Sequence, residues 1–180
     1  VPESLIDRTT TAEKLESLSD RCVQVLSHQD PMLNVSAIRC LVGINKASKI
    51  PIETLKIFMQ SKNYTLKLAT HIAAAEMALE GVQLPLDLID ALIAKWTTEP
   101  LAPTVLIAGC NNKEIAKHLI NTFNYGTTPP PEIALKIITA AANHKELSDI
   151  LQTTILRLLD QNIPPDMYQQ LQRILPTLQP

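Results

Sequence analysis

A three-residue phrase, proline, any residue and then a carboxylate, occurs four times in this 180-residue chain and constrains its fold more than any other feature. The copies begin at Pro51, Pro85, Pro130 and Pro164, so the intervals between them are 34, 45 and 34 residues. Each copy is followed by apolar residues at helical spacing. Similar units that recur at such intervals are typical of stacked helical repeats. The chain is therefore predicted to repeat a pair of helices.

The phrase has the properties of a helix start. Proline is favourable in the first helical turn, because its missing N–H would have no intrahelical partner there. The carboxylates of Glu53, Asp87, Glu132 and Asp166 fall near the third helical position, where they meet the positive end of the helix dipole. We therefore expect these four side chains to have a structural role and not to form a metal site.

Composition supports an all-α fold. Apolar residues make up 46% of the chain and aromatic residues only 3%, and there are four glycines, which favours helices packed through leucine, isoleucine and alanine. We predict a right-handed α-solenoid of helix pairs, with about three and a half repeats after two N-terminal helices. It would form a single domain over residues 1–180. The predicted units are 10–50, 51–84, 85–129, 130–163 and 164–180.

Local signals refine the helix boundaries. Three residue pairs resemble capping boxes and predict helix starts: Thr10 with Glu13, Asn111 with Glu114, and Asn143 with Glu146. Pro176 is expected to stop the last helix. The apolar residues expected to face the core include Leu15, Leu18, Ile72 and Leu79.

The longer interval of 45 residues contains an additional short apolar helix, predicted over 101–110. Trp96, the only tryptophan, stands just before the break that precedes this helix. One interpretation is that Trp96 fills the irregular space beside the added helix. The alternative is a binding hot spot, because tryptophan is enriched at such positions.

No catalytic or metal-binding pattern stands out. The four histidines, His28, His71, His118 and His144, lie on different predicted elements and lack a second ligand at helical spacing. The sequence also lacks a glycine-rich phosphate loop. The formal charge of −2 argues against binding a polyanion by bulk attraction. We predict a protein that is not an enzyme and has no metal and no cofactor.

The three cysteines indicate the compartment. Cys22, Cys40 and Cys110 are odd in number and form no C-x-x-C pair, which favours free thiols in a reducing, intracellular setting. The cytoplasm is the first expectation and an organelle is left open. Cys110 falls close to a predicted helix start, where the thiol pKa is expected to be lowered. The sequence contains no apolar stretch of membrane-spanning length.

The segment from Glu132 to Asp166 resembles a known repeat family. It is 35 residues long, its second helix opens with Asn143-His144-Lys145-Glu146-Leu147, and it closes with Asn162-Ile163-Pro164-Pro165-Asp166. This resembles the pentatricopeptide repeat, and the resemblance implies an α-solenoid that binds RNA through the fifth and last residues of each unit. The fifth positions are Lys56, Lys136 and Leu171, where the family has a small polar residue, and the last positions are Leu86 and Asp166, of which only Asp166 matches. A base-reading code is thus predicted to be absent. The helix pairs are also similar to HEAT and armadillo repeats.

These observations favour a protein-interaction scaffold that binds a peptide or a partner domain on the concave face of the array. The candidate partner-binding residues are Glu53, Lys56, Gln60, Asp90, Trp96, Lys136 and Thr139. One alternative is an RNA-binding module of the pentatricopeptide type, which would require six lysines on one face: Lys46, Lys49, Lys56, Lys62, Lys67 and Lys136. Another is a regulatory or spacer fragment of a larger protein, since the chain starts at Val1 without a methionine.

Overall fold

The structure, a computed structural model, describes residues 3–125 and 128–178, with side chains described from Thr11 onward. It is all-helical, and no β-strand occurs in those ranges. The helices are α1 (Glu3–Val25), α2 (Pro31–Gly43), α3 (Ile52–Met59), α4 (Tyr64–Leu79), α5 (Leu86–Ile93), α6 (Ala102–Gly109), α7 (Lys113–Tyr125), α8 (Pro131–Ala141), α9 (Ser148–Leu159) and α10 (Pro165–Ile174). Short 3₁₀ helices cover Ala47–Lys49, Lys145–Leu147 and Leu175–Leu178. The chain divides into two compact units, unit 1 (Val1–Glu80) and unit 2 (Gly81–Pro180).

Each copy of the repeated phrase opens a helix, as predicted. Helix α3 starts directly after Pro51 and α5 directly after Pro85, whereas α8 starts at Pro131 and α10 at Pro165. The carboxylate is the second helical residue in all four, one position earlier than expected. It therefore still lies in the first turn, where the backbone N–H groups are free and the helix dipole favours a negative charge.

Unit 1 is built around α4. This helix packs against both α2 and α3, and α1 packs against α2. The side of α4 that faces its neighbours is rich in alanine, and its fully buried residues include Ala73, Ala74 and Met77. Small side chains let the helix axes approach closely, and the larger Val35, Ile38, Leu41 and Leu55 fill the space between the helices.

Two expectations for unit 1 are wrong. Helix α1 begins at Glu3, so Thr10 and Glu13 lie inside the helix and not at its start. From Glu3 to Thr10 the sequence has no proline or glycine that would stop the helix.

Four apolar residues expected in the core are exposed instead. The exposed fractions are 37% for Leu15, 40% for Leu18, 47% for Ile72 and 60% for Leu79. Helix α4 carries apolar residues on almost every side, so periodicity alone does not identify the buried face.

Asn63 forms the N-cap of α4, and its Oδ1 accepts a hydrogen bond from the Leu66 N–H at 2.9 Å. Asn63→Ala removes this acceptor and is expected to lower the free energy of unfolding by about 1 kcal/mol. Urea unfolding followed by circular dichroism measures the change. The matched control is Lys62→Ala at the adjacent exposed position, which should lie within about 0.5 kcal/mol of the wild type. Equal stability of the two variants would show that the cap contributes nothing.

Unit 2 contains two rows of helices. Helix α8 packs against α6 on one side and α10 on the other, which makes one row. The second row has α9 between α7 and the 3₁₀ helix Leu175–Leu178. Helix α7 also packs against α8, and α9 against α10, so the rows face each other. The short helix α6 is the additional element predicted from the interval of 45 residues.

Side-chain hydrogen bonds connect successive helix pairs of unit 2. His144 Nε2 donates to the Cys110 carbonyl at 2.7 Å, just after the end of α6. Arg157 donates to the carbonyls of Phe123 and Asn124 in the last turn of α7. The Asn124 side chain also hydrogen-bonds Thr154, with 3.1 Å between Nδ2 and Oγ1. Donors on one pair thus satisfy carbonyl groups at a helix end of the preceding pair.

Two local expectations for unit 2 are wrong. The cap of α7 is Asn112 and not Asn111, because Asn112 Oδ1 accepts from the backbone N–H groups of Glu114 and Ile115 at 2.9 and 3.2 Å. The pair Asn143 and Glu146 does not start α9. A 3₁₀ helix comes first, and α9 begins at Ser148.

The last α-helix stops just before Pro176, as expected, although the chain then continues as a short 3₁₀ helix. Helix α10 stops at Ile174, and Pro176 lies inside the 3₁₀ helix that follows. Leu178, at the end of this short helix, is 4% exposed. Burial of Leu178 accounts for the continued helical path, since it removes apolar surface from water.

Candidate protein-interaction site

A groove in unit 2 runs along the exposed side of α8 and α10. It consists of two adjoining depressions of about 550 and 440 Å³ that share Thr139 and Gln170. We call this surface the α8–α10 groove. Its polar lining residues are Glu132, Lys136, Thr139 and Asn143 on α8 and its C-terminal turn, and Asp166, Gln169, Gln170 and Arg173 on α10. Volumes of this size are typical of ligand-binding clefts.

The polar side chains from α8 form one stripe. Glu132, Lys136, Thr139 and Asn143 are four, three and four residues apart, a spacing that puts side chains on one face of a helix. All four are exposed, whereas Ala134, Ile137, Ile138 and Ala141 are buried on the opposite face. The apolar face of α8 therefore fixes the direction in which the polar stripe points.

The stripe from α10 faces solvent in the same way. Asp166, Gln169, Gln170 and Arg173 follow helical spacing and are exposed, while Met167 and Leu171 are buried. Since Arg173 and Lys136 offset Asp166 and Glu132, the groove has no large excess of one charge. It offers instead the amides of Asn143, Gln169 and Gln170, each of which can both donate and accept hydrogen bonds.

Two of the predicted partner-binding residues, Lys136 and Thr139, lie together in this groove. The Thr139 hydroxyl donates to the Leu135 carbonyl at 2.8 Å, which leaves its oxygen lone pairs free to accept. Sequence reasoning missed Asn143 and Gln170. The signal that could have found Asn143 is the run of polar residues at helical spacing along 132–143. Gln170 joins the groove only through the packing of α10 on α8.

Three other predicted residues lie on α3 of unit 1 and at its C-cap. Glu53, Lys56 and Gln60 follow helical spacing, and Glu53 and Gln60 are exposed. Lys56 Nζ is 3.5 Å from Glu53 Oε1, so the two side chains form an ion pair along the helix. Ion pairs of this kind contribute only a few tenths of a kcal/mol, about 0.3–0.5 kcal/mol. These three residues therefore form a charged and polar stripe along one side of α3.

Asp90 and Trp96 have different surroundings. The Asp90 carboxylate accepts a hydrogen bond from His118 Nε2 at 2.6 Å, which links α5 to α7. Trp96 is only 6% exposed, and its ring centroid lies 6.4 Å from that of Phe123 at an interplanar angle of 55°. Trp96 is therefore part of the core of unit 2, where its ring packs against Phe123 of α7.

Several of the lysines considered for nucleic-acid binding form ion pairs with nearby carboxylates. Lys46 and Lys49 both contact the Glu16 carboxylate, and Lys56 pairs with Glu53. The hydrogen bond from Lys49 lowers the pKa of Glu16, and the same bond raises the pKa of Lys49. Lys49 also donates to Asp20 at 3.2 Å. The positive charges of these lysines are thus offset locally.

The cysteines are unpaired, and two of them are buried. Burial raises the pKa of the Cys110 thiol to about 12, so the expected lowering of that pKa is wrong. The reason is that Cys110 lies at the end of α6, where its Sγ donates to the Leu106 carbonyl at 3.4 Å. Burial and the neighbouring Cys40 thiol raise the pKa of Cys22 to about 11. Both thiols therefore stay protonated near neutral pH, which is the unreactive form.

The described residues contain no group of three or more histidine, cysteine, aspartate or glutamate side chains that could hold a metal ion. Of the helices in the described ranges, none combines the length and the apolar character needed to cross a membrane. Comparisons of the chain with family models and with curated proteins gave no match.

Proposed function

We propose that the helix pairs stack as a right-handed α-solenoid and that the chain works as a protein-interaction scaffold, with the α8–α10 groove as a binding site for an extended peptide. The support for stacking is the two-row packing of unit 2, in which α6, α8 and α10 contact each other in order. An intracellular, reducing setting is part of the proposal, supported by the three free cysteines.

The observation that carries the peptide proposal is the chemistry of the groove. An extended peptide leaves its backbone N–H and C=O groups unpaired, and each needs a partner when it is removed from water. The amides of Asn143 and Gln170 and the hydroxyl of Thr139 provide donors and acceptors along the groove. Lys136 and Glu132 can select charged peptide side chains, while Ile107 and Leu135 provide apolar contact.

The test is selection from a phage-displayed library of random 12-residue peptides on the full chain, followed by fluorescence polarisation with the selected peptides. We expect Thr139→Arg to block the groove and weaken binding at least about tenfold, which corresponds to about 1.4 kcal/mol. The matched control is Lys117→Glu, an exposed residue on α7 in the other row of helices, which should leave the affinity unchanged.

A second measurement tests the nucleic-acid alternative. We expect no gel shift with single-stranded RNA of mixed sequence at moderate salt. If RNA bound with an affinity that fell steeply between 50 and 200 mM salt, and the library gave no peptide sensitive to Thr139→Arg, the scaffold proposal would be wrong.

A further inference from the structure

A second groove, of different character, lies in unit 1 between α2 and α4. Its volume is about 540 Å³, and we call it the α2–α4 groove. Its floor is formed by the buried residues Ile38 and Ala69. Val42 and Leu68 form half-buried walls. The groove is thus mainly apolar.

One wall of this groove is an exposed apolar ridge. Tyr64, Leu68 and Ile72 are four residues apart, so they lie above one another on three successive turns of α4. Tyr64 is 56% exposed and Ile72 is 47% exposed. Single exposed apolar residues are common on protein surfaces, but a contiguous apolar patch beside a groove is typical of an interaction site.

The opposite wall is open at the end of α2. A Cβ atom placed on Gly43 would have no neighbouring atom within 4 Å. No positive φ requires glycine at this position, so the missing side chain leaves free space in the groove without a backbone reason. This space lets a side chain from a partner enter between the two helices.

The polar groups of the groove are too few for an extended peptide. Among the side chains that line it, only Arg39, Thr65 and the Tyr64 hydroxyl can form hydrogen bonds. An extended chain would leave most of its backbone groups unpaired there, at a cost of about 1–3 kcal/mol for each group fully removed from water. An α-helix satisfies its own backbone, and apolar side chains one turn apart can pack between the turns of α4.

The charge at the groove is positive. Arg39 is exposed and is the only charged side chain among the lining residues. The Lys67 ammonium group lies 5.7 Å from the centroid of the Tyr64 ring, on the same side of unit 1 as the ridge. A carboxylate suits a guanidinium best, because the two can form two parallel hydrogen bonds.

We infer that the α2–α4 groove binds an amphipathic α-helix of a partner protein, whose apolar face packs on Tyr64, Leu68 and Ile72 and whose flanking acidic residue pairs with Arg39. This site differs from the α8–α10 groove in the form of ligand it accepts. The scaffold then takes a helical partner on unit 1 and an extended peptide on unit 2.

The probe is a phage-displayed library of 16-residue amphipathic helices, with apolar residues one turn apart and either Glu or Lys at the flanking positions. Selection on the full chain is expected to enrich Glu-flanked helices. Arg39→Glu is expected to weaken their binding about tenfold and to strengthen binding of the matching Lys-flanked peptides. Gly43→Leu fills the open space at the end of α2 and is therefore expected to remove helix binding. Since leucine has a higher helix propensity than glycine, we expect no loss of stability.

The control variants separate this inference from the function proposed for unit 2. Arg21→Glu changes an exposed charge on α1 and should not affect helix binding. Thr139→Arg should remove the extended peptide and leave helix binding intact. The inference is overturned if no helix is enriched, or if the selected helices bind Arg39→Glu and Gly43→Leu as well as the wild type. It is also overturned if sedimentation shows a dimer that Gly43→Leu dissociates, because the occupant would then be a second copy of the chain.

Discussion

Replacement of Phe123 by alanine is expected to lower the free energy of unfolding of unit 2 by about 3–5 kcal/mol. Phe123 on α7 is fully buried, and its ring contacts that of Trp96. The variant loses the hydrophobic contribution of the ring, leaves a cavity that the surrounding helices fill only in part, and removes the aromatic contact.

The single tryptophan makes this prediction simple to measure. Because Trp96 is the only tryptophan and packs against Phe123, its fluorescence during urea unfolding reports on unit 2. Tyr125→Ala is the matched control, since Tyr125 is on the same helix and is 90% exposed; its effect should stay within about 0.5 kcal/mol. A loss of less than about 1 kcal/mol for Phe123→Ala would contradict the packing described for this core.

Arg157→Ala is expected to have the second largest effect, a loss of about 2–4 kcal/mol. The guanidinium donates to the carbonyls of Phe123 and Asn124, and the distance to the Asn124 oxygen is 2.7 Å. These carbonyls are at the end of α7 and have no intrahelical donor. Arg157 Nε is itself buried without a hydrogen-bond partner in the described part of the chain. The net contribution of Arg157 to the free energy of unfolding is therefore less than that of its two hydrogen bonds alone.

The variant Arg157→Lys tests whether the stabilisation comes from the positive charge of Arg157 or from the planar geometry of its guanidinium. Lysine keeps the positive charge near the negative end of α7 but has no planar fork, so we expect about half of the loss seen with alanine. Arg173→Ala serves as the exposed control on α10 and should change stability by no more than about 0.5 kcal/mol. Equal stability of Arg157→Ala and Arg173→Ala in urea titrations would contradict the prediction. It would show that water molecules donate to the Phe123 and Asn124 carbonyls in place of the guanidinium.

The starts of α3, α5, α8 and α10 were predictable because their causes are local. Proline restricts its own φ angle, and a carboxylate in the first turn interacts with N–H groups only a few residues away. The same locality explains the failure at Asn143 and Glu146. A capping pair stabilises a helix start by about 1 kcal/mol, and other contacts in the folded chain can outweigh such a preference.

The candidate site was predictable in part. Lys136 and Thr139 lie on α8, a helix whose start and apolar face are visible in the sequence. Gln170 and Arg173 are some thirty residues further along, and they reach the same groove only because α10 packs against α8. A contact between residues so far apart in the chain does not alter the hydrophobic periodicity of either helix, so the sequence does not reveal it.

The α2–α4 groove shows most clearly the difference between what local sequence determines and what tertiary packing determines. By itself, the sequence determined that this chain is helical and where the repeated proline and carboxylate phrase begins a helix, because propensity, capping and dipole effects act within one or two turns. Only the tertiary structure decided which face of an almost uniformly apolar helix is buried, and so left Tyr64 and Ile72 exposed beside Gly43. The physical reason is that burial depends on the helices packed around a residue, and those neighbours come from distant parts of the chain.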